Sequence, residues 1–156
     1  MCAAPVQINL PDADATADVG RTLGATLAAG DVILLAGPVG AGKTHLARSL
    51  IQSILSEPED VPSPTFTLVQ VYDTTRGPLW HADLYRLGSP DEVEELGLAE
   101  AFETAICLVE WPDRLASPPR EALSVDIAYA DDGRIATLSW DAGDWDTRLP
   151  VEARHA

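Results

Sequence analysis

The eight residues Gly37-Pro38-Val39-Gly40-Ala41-Gly42-Lys43-Thr44 carry the types and spacing needed to hold a polyphosphate. Gly40 and Gly42 let the backbone curl so that successive N–H groups turn inward on an anion. A helix beginning at the end of the segment adds its positive N-terminal end. Lys43 is placed to reach β and γ phosphates, and the Thr44 hydroxyl to ligate magnesium. Lysine is used nowhere else: the chain has nine arginines and this single ammonium. A compact charge on a flexible stem is a different tool from a planar guanidinium.

A phosphate loop by itself does not cleave a phosphoanhydride; it needs carboxylates for the metal and a group to place water. Glu110 closes the apolar run Ile106-Cys107-Leu108-Val109. At the C-terminal end of a buried parallel strand it faces the ligand crevice, where packing would not place a carboxylate. Asp83, in His81-Ala82-Asp83-Leu84-Tyr85-Arg86, is a second candidate. His81 and Asp83 share one face of a strand by their period of two, and the residues alone also fit an exposed His/Asp pair. Thr65, within Ser63-Pro64-Thr65-Phe66-Thr67, lies between the phosphate-loop helix and the next strand, where switch threonines respond to a γ-phosphate; a rigid proline loop is the other reading. Trp111 follows Glu110 and either flanks a nucleotide or caps the core. Arg86 fits a surface position as well as a transition-state role, and His45 receives no role.

These residues need elements to hold them. Val6–Leu10 reads as a short strand. Asp12 or Asp14 caps a helix expected to run to about Ala29, with Gly30 stopping it. Residues 31–37 form an apolar, β-branched strand buried on both faces, and the spacing of Leu46, Leu50 and Ile54 makes 44–55 a helix. Residues 61–67 hold two prolines and form a loop. Two strands joined by a turn at Arg76-Gly77-Pro78 follow. Ser89-Pro90-Asp91-Glu92 is a helix start with a capping box. Residues 105–111 form a second apolar strand. The alternating segments around Asp132-Gly133 read as a hairpin. The fold expected is α/β: a phosphate-loop three-layer sandwich with a mostly parallel sheet, a C-terminal antiparallel hairpin, and a loose polar tail from about residue 141. All 156 residues make a single domain.

Composition narrows the classes. Ten basic residues face 25 acidic ones, for a net charge of −15, which argues against an extended nucleic-acid surface. Either a solvated acidic surface or a face for a basic protein partner fits that charge. No apolar run is long enough to span a bilayer, and the N-terminus lacks a signal-peptide pattern, so the expected location is cytoplasmic. Cys2 and Cys107 are not expected to pair, and the scattered His45, His81 and His155 do not suggest zinc. Absent Asn-Lys-x-Asp, guanine specificity is unsupported; absent Leu-Ser-Gly-Gly-Gln, so is a transporter ATPase.

Several strings line up in one order: residues 10–20 (LPDADATADVG), the phosphate loop, SPTFTLV, HADLYRL, SPDEVEELGL and ICLVEWPDRL. Together, over about residues 5 to 140, they resemble the bacterial TsaE (YjeE) family, the phosphate-loop ATPases of tRNA threonylcarbamoyladenosine biosynthesis. The resemblance implies an ATP-binding and ATP-hydrolysing subunit, weakly active alone. It would act with TsaB and TsaD to modify the adenosine beside the anticodon, meeting tRNA through those partners, with no DNA or membrane. It implies that Gly37 and Gly40, Ala41, Gly42, Lys43 and Thr44 hold phosphates, and that Thr44, Glu110 and Asp83 serve magnesium. Lys43, Asp83, Glu110 and Thr65 would be catalytic, Trp111 a functional aromatic, and Ala13 and Gly133 backbone neighbours of the nucleotide. A small phosphotransferase is the alternative, and a nucleotide-controlled binding module a third reading.

Overall fold

The computed structural model describes residues 6–38, 42–57, 61, 69–85, 97–115, 118–131 and 133–148. Thr65, Gly40, Ala41, Arg86 and the capping box at Ser89 lie outside them. The chain opens with strand β1 (Val6–Leu10) and helix α1 (Ala13–Gly24), followed by β2 (Val32–Ala36) and α2 (Lys43–Ile54). A hairpin, β3 (Val69–Thr74) and β4 (Gly77–Asp83), comes next, then α3 (Leu98–Thr104) and β5 (Ile106–Glu110). A 3-10 turn (Pro112–Arg114), the hairpin β6 (Leu123–Ala130) and β7 (Gly133–Ser139), and α4 (Trp145–Arg148) complete the described chain.

The strands form one seven-stranded sheet in the order β1-β7-β6-β2-β5-β4-β3. Its centre is parallel: β2 pairs with β5 and β6, and β4 with β5. Its flanks are antiparallel: β1 with β7, β6 with β7, and β3 with β4. The sheet is therefore mixed rather than mostly parallel. The two-residue connection Thr75-Arg76 is too short for a crossover and forces a hairpin. β1 closes the edge beside β7.

β2 and β5 are buried on both faces, which is why both read as continuous apolar runs. On one face Ile33, Leu35, Ile106, Leu108, Leu123 and Val125 pack beneath α1 and α2. Leu46 and Leu50 of α2 are fully buried there, each contributing about 1.5–3 kcal/mol over exposure. On the other face Val32, Leu34, Cys107 and Val109 meet Leu98 and Ala101 of α3. Two helical faces on one sheet give the three layers expected.

α1 begins as expected, with Asp12 Oδ1 accepting from the Ala15 N–H at 2.9 Å. It ends five residues before Ala29. The Thr26 N–H and the Thr26 hydroxyl both donate to Leu23 O, and this local bonding replaces the helical ladder. The segment from 141 is not loose as far as residue 148. Trp145 is 1% exposed, and its Nε1 donates to Glu121 O at 2.7 Å. Arg148 donates to both Asp31 oxygens and to Thr26 O. Aromatic burial and a two-pronged ion pair outweigh the polar character of the segment.

Candidate functional site

The C-terminal ends of β2, β4 and β5 lie side by side, and each delivers one part of the site. β2 ends at Ala36 and feeds the loop that α2 resumes. Gly42, at φ 114°, takes the position before the first helical residue, a conformation that strains any residue with a Cβ. It starts α2 with Lys43, so Lys43 and Thr44 stand in the first turn of the helix.

Lys43 is 5% exposed. Its Nζ donates to Gly37 O at 2.5 Å and stands 3.6 Å from the centre of the Trp111 ring. Among the described residues no carboxylate forms an ion pair with it. Burial lowers its pKa, against the opposing pull of Glu110, Asp83, Asp113 and Asp126. A buried ammonium held by one carbonyl and an aromatic face has two N–H donors left for a stronger acceptor.

Thr44 donates its hydroxyl to Glu110 Oε1 at 2.9 Å, and Glu110 Oε2 lies 2.7 Å from His81 Nε2. Glu110 is 2% exposed and His81 fully buried. The β4–β5 register sets Asp83 directly opposite Glu110, so two strands present buried carboxylates at the same level. Asp83 Oδ1 accepts from the Tyr85 N–H at 3.0 Å. A hydroxyl and a neighbouring carboxylate suit a hard cation. The described residues contain no cluster of three His, Cys, Asp or Glu side chains able to cage one. Such a donor set fits magnesium, which keeps several waters and takes substrate phosphate oxygens rather than an all-protein cage.

Trp111 is the only non-glycine among the described residues with positive φ, at 61°. That left-handed backbone costs about 1–2 kcal/mol, and it swings the ring over Lys43. Tyr85 packs against the same ring at a tilt of 46°, with centroids 4.7 Å apart, and the ring also packs against the second core cluster. Of the two readings of Trp111, the structure shows the core cap, with the Lys43 ammonium also against the ring.

A family model described as "Threonylcarbamoyl adenosine biosynthesis protein TsaE" matches residues 10–136. The chain belongs to the TsaE family. The "tRNA threonylcarbamoyladenosine biosynthesis protein TsaE" of Nostoc sp. is 43% identical over 132 residues, covering 81% of this chain and 80% of that one. The protein of the same description from Rickettsia felis is 36% identical over 76% of this chain and 71% of its own. The Haemophilus influenzae one is 41% identical over 66% of each. The crystal structure of Bacillus subtilus YdiB superposes with a TM-score of 0.69 at 27% identity, covering 94% of this chain and 92% of that one. The family match takes in every candidate residue from Ala13 to Gly133 and stops before Trp145 and Arg148.

In this TsaE-family chain Gly37, Lys43, Thr44, Asp83, Glu110 and Trp111 meet at one end of the sheet. Ala13 opens α1 and Gly133 opens β7. A Cβ on Gly133, at φ 147°, would fall 2.5 Å from Leu10 O and 2.9 Å from Pro11 Cα, so Gly133 sits tight against the end of β1. His45 Nε2 lies 3.1 Å from Ala13 O, so His45, which had no role from the residues alone, ties α2 to the N-terminal segment. Two residues were underrated by sequence reasoning. His81 reads only as the partner of Asp83 by period, whereas it contacts Glu110 on the adjacent strand. Tyr85 carries no signal at all until β4 and the Trp111 turn are side by side. Among the described residues no helix is long and apolar enough to cross a membrane.

Proposed function

We propose that this protein binds ATP with Mg2+ at the loop 37–44 and hydrolyses it, as a subunit acting with TsaB- and TsaD-like proteins in the threonylcarbamoyladenosine modification of tRNA, in the cytoplasm. The observation that carries the nucleotide part is the Lys43 ammonium, buried at a helix N-terminus on a carbonyl and an indole face. A triphosphate offers it far stronger acceptors. The pathway part rests on family membership. The acidic chain fits tRNA being gripped by partners rather than by this subunit.

In this reading the backbone N–H groups from Gly40 to Thr44, with the Lys43 ammonium, would bind the β and γ phosphates. Thr44 and Glu110 would hold the metal, whose charge would offset that of the phosphates beside Glu110, Asp83, Asp113 and Asp126. Asp83 is the Walker-B-like acid beside it. Thr65 senses the γ-phosphate, and Trp111 shields the cleft from water. Ala13 and Gly133 border the nucleotide through their backbones.

Depleting the protein in its host should lower threonylcarbamoyladenosine in tRNA; unchanged levels would sink the pathway assignment. With purified protein and its partners, γ-phosphate should appear as inorganic phosphate, and label on an acceptor would favour a phosphotransferase. Glu110→Ala should keep nucleotide while losing turnover by about 100-fold, the scale of a removed metal-orienting group; normal turnover would remove Glu110 from the mechanism.

A further inference from the structure

We propose that His81 is a positioning residue that makes Glu110 a one-oxygen ligand. It occupies Oε2 of the carboxylate, so that only Oε1 is presented to Thr44 and the metal. This rests on the reading of Glu110 as a magnesium ligand.

Three observations carry it. First, the two groups meet in the core: His81 is fully buried, Glu110 is 2% exposed, and Nε2 lies 2.7 Å from Oε2. Second, the carboxylate is divided. Oε1 takes the Thr44 hydroxyl at 2.9 Å while Oε2 faces the imidazole, so the chain fills one oxygen from each side. Third, His81 Nδ1 is buried and has no hydrogen-bond partner among the described residues. A buried nitrogen without a partner carries the cost of its desolvation, a cost expected where function fixes a side chain against its own hydrogen-bonding preference. Nε2 is the ring nitrogen that faces Oε2, and a carboxylate oxygen accepts, so in the proposed arrangement Nε2 is the donor of this contact. The strands make the arrangement rigid. His81 pairs with Leu108 and Asp83 with Glu110 in the β4–β5 register, so the imidazole reaches diagonally to the carboxylate two residues further along the neighbouring strand. A carboxylate free to rotate could chelate the metal through both oxygens or turn to Lys43. Held by His81, it offers one oxygen at a fixed angle, which suits the near-ideal octahedron magnesium demands.

The first test uses nucleotide-free wild-type protein with 15N-labelled histidine. Long-range nitrogen–proton correlation spectra should show the His81 proton on Nε2; a bare Nε2 overturns the proposal. The second test titrates MgCl2 against protein saturated with a non-hydrolysable ATP analogue, read by calorimetry and by turnover with ATP. His81→Ala should raise the Mg2+ requirement by about 10–100-fold and leave metal-free analogue binding within about twofold. His81→Gln should recover most of the loss, because its amide nitrogen falls where Nε2 lies. His81→Asn should not, because its nitrogen falls near Nδ1. An unchanged Mg2+ requirement in His81→Ala, or equal behaviour of Gln and Asn, overturns the proposal. If His81→Ala does not fold, the Gln/Asn pair and the wild-type spectra decide. If the wild type itself ignores Mg2+ and nucleotide, the proposed function fails, and the spectra still decide the Nε2 contact.

Discussion

Strand β2 has a cation at each end, and the two are treated in opposite ways. Before its first residue, Asp31 receives Arg148 through two guanidinium nitrogens, and the same guanidinium donates to Thr26 O at 2.7 Å and lies 4.1 Å over the Trp145 ring. Hydrogen bonding to Asp31 raises the Arg148 pKa. Beyond its last residue, Lys43 has a carbonyl and an indole face and no paired carboxylate among the described residues. Its pKa is lowered by burial. One cation is neutralised where it stands and closes the fold. The other is desolvated but under-neutralised, which is the state a ligand can improve. A fully paired cation gains little from a phosphate; a buried one held by weak partners gains a great deal.

The sharpest way to break this contrast is to delete each cation in turn. Lys43→Ala should weaken nucleotide binding by ~100-fold or more, as expected for losing two or more charge-assisted hydrogen bonds of about 1.5–3 kcal/mol each. The thermal midpoint should hold or rise, because a desolvated ammonium is removed; a lower midpoint with intact affinity would reverse the assignment of the two ends. Arg148→Ala should do the opposite. Leaving Asp31 unpaired and exposing Trp145 should cost about 2–3 kcal/mol in denaturant unfolding, with nucleotide affinity within about twofold. A large affinity change there would mean the two ends communicate.

A smaller effect follows from the direction of the Lys43 shift. Phosphates restore the ammonium's preference for its proton, so binding in the alkaline range should take up protons. Affinity should fall as pH rises, by less than about tenfold per unit for one group. Calorimetry in buffers of differing ionisation enthalpy reads this directly, and zero proton uptake would contradict a depressed pKa. The smallest effect is expected at Cys107. Burial pushes its thiol up to about 12, so native protein at neutral pH should resist alkylation there, as peptide mass spectrometry would show. The unfolded thiol sheds its proton near about 8.5, so stability should decline as pH rises above that value. Rapid labelling of folded protein would mean that the core around β5 opens.

Much of this was legible one residue at a time. The helix start at Gly42 and Lys43, the apolar strands β2 and β5, and the hairpin at Gly133 are short-range patterns: a spacing, a run, a turn signal. They fix type and place because the physics behind them is local. Strand pairing was less legible. The antiparallel flanks depend on which edge is open once the parallel centre has formed, and no residue of β1 encodes its pairing with β7. The early end of α1 was hidden because a threonine hydroxyl competing with the helix ladder does not disturb hydrophobic spacing. The docked segment 141–148 was hidden because its anchor, Asp31, lies more than a hundred residues away.

The sequence by itself determined that a helix starts at Lys43 behind a glycine, that Glu110 closes a buried strand, and that one lysine serves the whole chain. The resemblance it carries reached the family. Tertiary structure alone decided that His81 meets Glu110 rather than Asp83, that Trp111, with Tyr85 against its ring, covers Lys43, and that Arg148 closes the far end of β2. The reason is range: backbone curl and burial are set by neighbours in sequence, whereas the partner of a buried charge is whichever strand packing brings alongside it.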